Sequence, residues 1–153
     1  MVDDPRRIDE ADARARFDTA LRTHRQEFEG FFLARLLGLD FTYLPEDAPD
    51  ADKDCCRIAL DVAEMFLNPQ GVLHGGIIAS VMDISMGHLI AKTAGPGATI
   101  QMKVQYLRPV GLGPASCEGR FLRRGRTLSF LESRLYTGDG RLAALATATW
   151  KMP

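Results

Sequence analysis

The sequence predicts an α+β fold in which a mainly antiparallel, six-stranded sheet curves around one central helix. The first observation is the stretch at residues 68–90, NPQGVLHGGIIASVMDISMGHLI, whose helical part is apolar on all sides and is therefore expected to be buried. The second is a set of six strand-like runs around that helix. The third is the short Gly- and Pro-containing turns between the last four runs. One buried helix beside six strands packs most simply when the sheet wraps around it.

The elements follow in a clear order along the chain. Residues 5–37 are rich in Ala, Arg, Glu, Leu and Phe, which predicts one long helix or two shorter ones, closed by Gly38 as the C-cap. We take residues 1–37 as an N-terminal helical extension and residues 38–153 as the main domain. The apolar residues of the extension are expected to dock on the domain or on a partner subunit. Strands are predicted over residues 39–44, 55–64, 98–107, 113–123, 127–137 and 142–151, with an acidic turn at 45–54 and the central helix starting near His74.

A strongly curved sheet around one helix is the hotdog architecture. The short turns predict antiparallel hairpins between the last four strands. The open edge of such a sheet would pair readily with a second copy of the chain. The sequence therefore predicts a dimer as well as a fold.

Composition excludes several classes of function. The 153 residues fit one compact domain, and the apolar and charged fractions of 46% and 25% are ordinary for a globular protein. The net charge of −1 argues against nucleic-acid or anionic-membrane binding. We expect no membrane span, because no apolar run approaches about 20 residues, and no secretory signal, because the N-terminus is charged. Three cysteines, two of them adjacent, form neither a disulfide framework nor a spaced metal site, so a reducing, cytoplasmic setting is expected.

The start of the central helix is suited to stabilising a negative charge. A helix N-terminus offers backbone N–H groups without intrahelical acceptors and the positive end of the helix dipole. Gly75 and Gly76 carry no side chain that would block a ligand from these donors. The alternative is that both glycines only allow the helix start to pack tightly against the sheet.

Asp83 is the single carboxylate in the apolar helix, nine residues after His74. That spacing separates the two residues by about 13.5 Å and half a turn, so they cannot act on one substrate atom within one chain. If both are catalytic, each site combines His74 and Gly75 of one subunit with Asp83 of another, in a two-fold dimer. An apolar setting would raise the pKa of the carboxyl and make it a better base. The alternative is a structural Asp83 bonded to nearby backbone or to Ser80.

The same residues resemble a known family. The run NPQGVLHGG at 68–76, Asp83, and the segment GPGATIQMKVQYLRPV at 95–110 resemble the active-site signature of the hotdog acyl-CoA thioesterases. The most similar branches are the phenylacetate-degradation (PaaI-like) type and the thioesterase superfamily member 2 type. The segments RRGRTL at 123–128 and GRLAALATAT at 140–149 resemble the last hairpins of that branch. The resemblance covers about residues 31–153.

The resemblance implies an acyl-CoA thioesterase and a role for each matching residue. Asp83 would be the general base or the nucleophile, and Gly75 would donate a backbone N–H to the thioester carbonyl. His74 would help to place that carbonyl, and Asn68 would orient the attacking water, although an Asn before Pro is also an ordinary turn opener. Thr99 stands where the branch often has a Ser that assists the water, so the hydroxyl is kept although the residue differs.

The expected ligand is acyl-CoA itself, with coenzyme A as part of the substrate and no separate cofactor. Arg108, Arg124 and Arg126 are candidates to bind its phosphates, because guanidinium groups suit bidentate phosphate contacts. The alternative is that these arginines belong to a solvated surface. No His pairs with a Cys or a carboxylate at metal-ligand spacing, so no metal is expected.

Two other functions stay open at this point. One is a hotdog enoyl-CoA hydratase or dehydratase, which would need a His–carboxylate pair. The other is a non-catalytic module that binds acyl-CoA or another small ligand. For the assembly, the sequence predicts an obligate homodimer with composite active sites, and a dimer of dimers as the larger form.

Overall fold

The computed structural model describes residues 8–44 and 54–153, so most of the predicted acidic turn lies outside the described residues. The helices are α1 (Glu10–Thr23), α2 (Phe32–Leu37) and α3 (Gly75–Ala94), with a short 3₁₀ helix at Glu64–Phe66. The strands are β1 (Asp40–Leu44), β2 (Cys55–Val62), β3 (Ala98–Tyr106), β4 (Gly113–Arg123), β5 (Leu128–Thr137) and β6 (Leu142–Lys151).

The six strands form one antiparallel sheet in the order β1-β2-β4-β5-β6-β3. Helix α3 contacts β2, β3, β4, β5 and β6, so the sheet curves around it. This arrangement confirms the predicted hotdog fold. Strand β3 is an edge strand within the described sheet, and most of its side chains are exposed.

Small residues bring α3 close to the sheet. A Cβ at Gly119 of β4 would lie 2.7 Å from the backbone of Ser85, and a Cβ at Gly87 of α3 would lie 2.8 Å from the Trp150 ring. Neither distance is possible for a real side chain, so both positions need glycine. The closely packed interior explains why Met82, Met86 and other residues of α3 are fully buried.

The N-terminal region forms two shorter helices, which is one of the two predicted alternatives, and not one long helix. Asp9 caps α1 by accepting a hydrogen bond from the Asp12 N–H at 3.0 Å. Gly38 ends α2 in the left-handed conformation, φ 68°, which confirms it as the C-cap. The Arg16 guanidinium donates to the Leu36 carbonyl at 3.3 Å and ties α1 to the end of α2. The domain boundary at 37/38 stays a prediction.

One expectation was wrong, and so was the reason given for another. Strands β3 and β4 do not form a hairpin, because β3 pairs with β6 and the connection at 107–112 leads to the far side of β5 and β6. The six residues 107–112 are long enough for that crossing, because adjacent strands lie about 4.8 Å apart and an extended residue spans about 3.4 Å. Helix α3 is also long and apolar enough to cross a membrane by length and composition, the single such helix in the described chain. Its packing inside the sheet identifies it instead as a core helix.

Candidate active site

Asp83 and Thr99 meet at one cavity on the side of α3. The Thr99 hydroxyl, at the start of β3, donates a hydrogen bond of 2.8 Å to the Asp83 carboxylate. The two residues are 16 positions apart, and the pairing of β3 beside β6 brings them together. We call this space, of about 480 Å³, the Asp83 cavity; it is lined by Gln26, Glu27, Phe28, Phe31, Asp83, Ile84, Gly87, His88, Gly97, Thr99 and Trp150.

The surroundings of Asp83 make it a stronger base than a solvated carboxylate. Burial against the apolar helix raises the pKa of Asp83, and the hydrogen bond from Thr99 lowers it in part. Ser80, one turn before, donates instead to the Gly76 carbonyl at 2.9 Å. Ser80 is therefore not the partner of Asp83. The Asp83 carboxylate is held instead by the Thr99 hydroxyl at the cavity wall.

His74 is the N-cap of α3. Its Nδ1 accepts a hydrogen bond of 3.0 Å from the Gly76 N–H, and a Cβ at residue 76 would lie only 3.2 Å from that nitrogen. Because Nδ1 is the acceptor, a neutral ring carries its proton on Nε2. The exposed side chain thus has an N–H donor beside the helix start.

Gly75 is the first residue of α3, and no acceptor for its backbone N–H is found among the described residues. Its carbonyl accepts a hydrogen bond of 2.9 Å from the Tyr106 hydroxyl at the end of β3. A Cβ at residue 75 would lie 3.4 Å from the Tyr106 ring, so tight packing also favours glycine here. The two interpretations of the HGG turn, anion site and close packing, are therefore compatible.

Gly75 also lines a second space, of about 340 Å³. We call it the HGG cavity; its wall includes Asn68, Gly75, Tyr106 and Arg108. Asn68 Oδ1 accepts hydrogen bonds from the Gln70 N–H at 2.9 Å and the Val72 N–H at 3.4 Å, so this side chain shapes the turn. The Nδ2 amide of Asn68 is not used by the turn.

One chain therefore carries two separate groups of predicted site residues. Asn68, Gly75 and Arg108 border the HGG cavity, with His74 capping the helix beside it, and Asp83 and Thr99 border the Asp83 cavity. The helix start and Asp83 are about 12 Å apart along α3, at eight residues and 1.5 Å each.

Comparison with known proteins assigns the family. Residues 70–144 match the family described as Thioesterase superfamily. A protein of Saccharolobus solfataricus named "Putative esterase" is 34% identical over 112 residues, which are 72% of this chain and 80% of that protein. The chain belongs to the thioesterase superfamily. Thioester hydrolysis is the general activity that this membership supports.

Two further similarities agree with the resemblance in the sequence. The human protein named acyl-coenzyme A thioesterase 13 is 32% identical over 74 residues, which are 46% of this chain and 53% of that protein. A crystal structure from Ralstonia eutropha JMP134, of a phenylacetic acid degradation-related protein, has a TM-score of 0.71 and 26% identity. The alignment covers 90% of this chain and 99% of that one. The PaaI-like resemblance is confirmed.

The three arginines of this thioesterase-superfamily protein are not together in one chain. Arg108 donates to the Leu142 carbonyl at 2.9 Å beside the HGG cavity. Arg124 donates to the Thr93 carbonyl at 2.8 Å, at the opposite end of α3. Arg126 is exposed in the turn between β4 and β5. A single chain therefore does not gather them around one phosphate group, and their roles stay predictions.

Sequence reasoning missed most of the wall of the Asp83 cavity. His88 lies five residues after Asp83, a spacing that puts the two on different faces of a helix, yet both line this cavity because the space extends around the helix. Phe28 and Phe31 belong to the N-terminal extension, where none of the predicted site residues lies. Trp150 completes the wall, and its indole N–H is buried without an acceptor among the described residues. Only the apolar character of these residues was a signal in the sequence.

The described residues, 8–44 and 54–153, contain no group of three or more His, Cys, Asp or Glu side chains that could hold a metal ion. Cys55, Cys56 and Cys117 are buried thiols, and burial raises the pKa of Cys117 to about 11. A thiol in that state is a poor nucleophile or metal ligand at neutral pH. The absence of a metal or separate cofactor from the reaction stays a prediction.

Proposed function

We propose that this protein hydrolyses acyl-CoA thioesters to a free acid and coenzyme A. The observation that carries the proposal is the Asp83 carboxylate, a half-buried base held by the Thr99 hydroxyl at a cavity of suitable size. Membership of the thioesterase superfamily supports the reaction, and the human relative named acyl-coenzyme A thioesterase 13 supports acyl-CoA as the substrate class.

In the proposed reaction Asp83 acts as a general base. It takes a proton from a water molecule while the water oxygen adds to the thioester carbon. The carbonyl oxygen becomes an oxyanion, which accepts one hydrogen bond from the Gly75 N–H and one from His74 Nε2. The C–S bond then breaks, and the coenzyme A sulfur leaves as the thiol after taking the proton back from Asp83. Asn68 Nδ2, which the turn does not use, orients the attacking water in this reaction.

This reaction needs a dimer, because the base and the oxyanion donor lie at different positions of α3. Edge strand β3 offers a direct way to form one, since Thr99 stands beside Asp83 and Tyr106 beside Gly75. These two β3 residues are about 23 Å apart along the strand. An antiparallel β3–β3 pair centred between residues 102 and 103 would place Thr99 opposite Tyr106 of the partner subunit. Each base would then approach the helix start of the other subunit.

The central test of the proposed function is substitution of Asp83. Asp83→Asn or Asp83→Ala should lower kcat for acyl-CoA hydrolysis by about 10²–10⁴-fold, measured as release of free thiol. Because the pKa of Asp83 is raised in the folded state, the folded chain holds this proton more tightly than the unfolded chain. The free energy of unfolding therefore falls as the pH rises and Asp83 ionises. Asp83→Asn should therefore keep or raise the thermal midpoint at pH 7, which separates loss of chemistry from loss of folding. Wild-type turnover in a folded Asp83→Ala variant would exclude Asp83 as the general base.

A hydratase is the second candidate, because Asp83 and His88 border one cavity as a His–carboxylate pair would. The His88 ring, however, stacks on Phe41 at 4.2 Å and shares a 3.0 Å hydrogen bond between Nδ1 and the Tyr43 hydroxyl. No hydrogen bond joins His88 to Asp83 within the described chain. An assay for water addition to enoyl-CoA distinguishes the two reactions, and we expect thiol release without hydration.

A further inference from the structure

We propose that the N-terminal segment at residues 26–31 is the wall that selects the acyl group, with Phe28 and Phe31 as specificity-determining residues for an uncharged, apolar acyl chain. The inference rests on the proposed function and goes further by naming the selecting residues and the class of acyl group. Four residues of this segment line the Asp83 cavity, which lies within the roughly 300–1,000 Å³ of small-molecule sites.

The segment is a closed loop between α1 and α2. The Arg25 N–H donates to the Gly30 carbonyl at 2.7 Å, and the Gly30 N–H donates back to the Glu27 carbonyl at 3.1 Å. Gly30 is buried, and a Cβ there would lie 3.4 Å from the Arg25 Cβ. These contacts fix the loop as a compact unit, so its side chains can act as a defined wall.

His88 anchors that wall to the helix that bears Asp83. Phe28 meets the His88 ring edge-on with centroids 5.6 Å apart, and Phe31 is tilted against it at 5.9 Å. Phe41 stacks on the same ring from β1. We call His88 with Phe28, Phe31 and Phe41 the aromatic box. It stands about one and a half helical turns beyond Asp83, where an acyl chain would extend from the reacting carbon.

The charges around the cavity favour the acyl group over coenzyme A. Asp83 and Glu27 are both acidic, and no Lys or Arg is among the lining residues in the described chain. The phosphates of coenzyme A would be repelled here, whereas Arg108 stands at the HGG cavity. The same repulsion should exclude an acyl group that ends in a carboxylate, because burying an unpaired charge beside like charges is unfavourable.

The test compares acyl-CoA substrates of matched length and different end groups. Hexanoyl-CoA should have a kcat/KM at least about 10-fold above that of adipoyl-CoA, which differs by a terminal carboxylate. Glu27→Gln should reduce the difference in kcat/KM between hexanoyl-CoA and adipoyl-CoA, because it removes one of the two acidic side chains at the cavity. Phe28→Ala and Phe31→Ala should raise the kcat/KM ratio of dodecanoyl-CoA to hexanoyl-CoA about 10-fold, because truncation lengthens the pocket. Phe17→Ala is the matched control, since Phe17 packs on Phe32 and is not a lining residue.

The outcomes separate this inference from the proposed function. Equal kcat/KM for hexanoyl-CoA and adipoyl-CoA would overturn it, as would an unchanged chain-length ratio in both Phe variants. Should either alanine variant be unstable, Phe28→Leu and Phe31→Leu test the same ratio with less loss of packing. If the wild-type protein released no thiol from any acyl-CoA, the proposed function itself would be wrong. A changed ratio in Phe17→Ala would show that the effect does not come from the cavity wall.

Discussion

The two functional regions of α3 differ in almost every physical property. At its start, His74 is exposed, the Gly75 N–H points out of the helix end, and the chemistry is that of backbone donors. At its middle, Asp83 is half-buried beside aromatic rings, and the chemistry is that of a carboxylate with a raised pKa. One region is suited to accept a negative charge, and the other to take up a proton.

The comparison explains why neither region is a complete site. Acyl transfer needs a base and an oxyanion donor at the same carbonyl carbon. Helix geometry places these groups too far apart within one chain, so they must come from two copies if both act. Each variant below changes one region and leaves the other intact, and the predictions follow in order of expected effect.

Of the changes described below, removing the donor at the helix start should have the largest effect. Gly75→Pro deletes the N–H at the first helical position, where proline is well tolerated. The preceding His74 has φ −60° and ψ 132°, as a residue before proline requires. We expect kcat to fall by about 10²–10³-fold with the fold retained.

Gly75→Ala is the matched control, because it adds a Cβ against Tyr106 but keeps the N–H. Its kcat should stay well above that of Gly75→Pro. Equal losses in the two variants would mean that residue 75 acts through packing alone. Circular dichroism and the thermal midpoint verify that both variants are folded.

Mixing two inactive variants tests whether sites are shared between subunits. Asp83→Asn and Gly75→Pro chains refolded together form mixed dimers in half of the cases, and each mixed dimer has one site with both residues intact. The mixture should recover about a quarter of the wild-type specific activity. A mixture as inactive as its two components would place Asp83 and Gly75 in one subunit's site.

The smallest effect should come from Thr99. Thr99→Val removes the hydrogen bond that lowers the pKa of Asp83, so this pKa should rise further. Asp83 would then be ionised only at higher pH. The acid limb of the plot of kcat/KM against pH should therefore move to higher pH. Thr99→Ser keeps the hydroxyl and should keep the wild-type limb. If the acid limb does not move in Thr99→Val, Thr99 does not influence the ionisation of Asp83.

Much of the fold could be predicted from the sequence because burial leaves a periodic pattern. The start of α3 at Gly75 follows from the apolar run and its capping His74. Strands β4 (Gly113–Arg123) and β6 (Leu142–Lys151) match the predicted bounds, because Gly- and Pro-containing turns limit them. Strand β3 was found, but its neighbour was not, since an exposed edge strand has no pattern that identifies the strand beside it.

The site was predictable only where the family signature marks it. Thr99 was proposed from that resemblance, and its hydrogen bond to Asp83 joins positions 16 apart that periodicity cannot connect. Tyr106 contacts Gly75 across 31 positions, and no sequence pattern indicated this. Phe28 and Phe31 were expected to dock on the domain or on a partner subunit, and both do pack on His88 of the domain. Their apolar character did not indicate that they also line a cavity.

The aromatic box also ties the fold to proton uptake. Burial lowers the pKa of His88 to about 4, whereas in an unfolded chain the imidazole would have its ordinary value near 6.5. Between those values the unfolded chain binds more protons at this residue than the folded chain, so the free energy of unfolding falls as the pH falls. Acidification therefore weakens the molecule through His88, the ring that anchors the wall of the proposed acyl pocket.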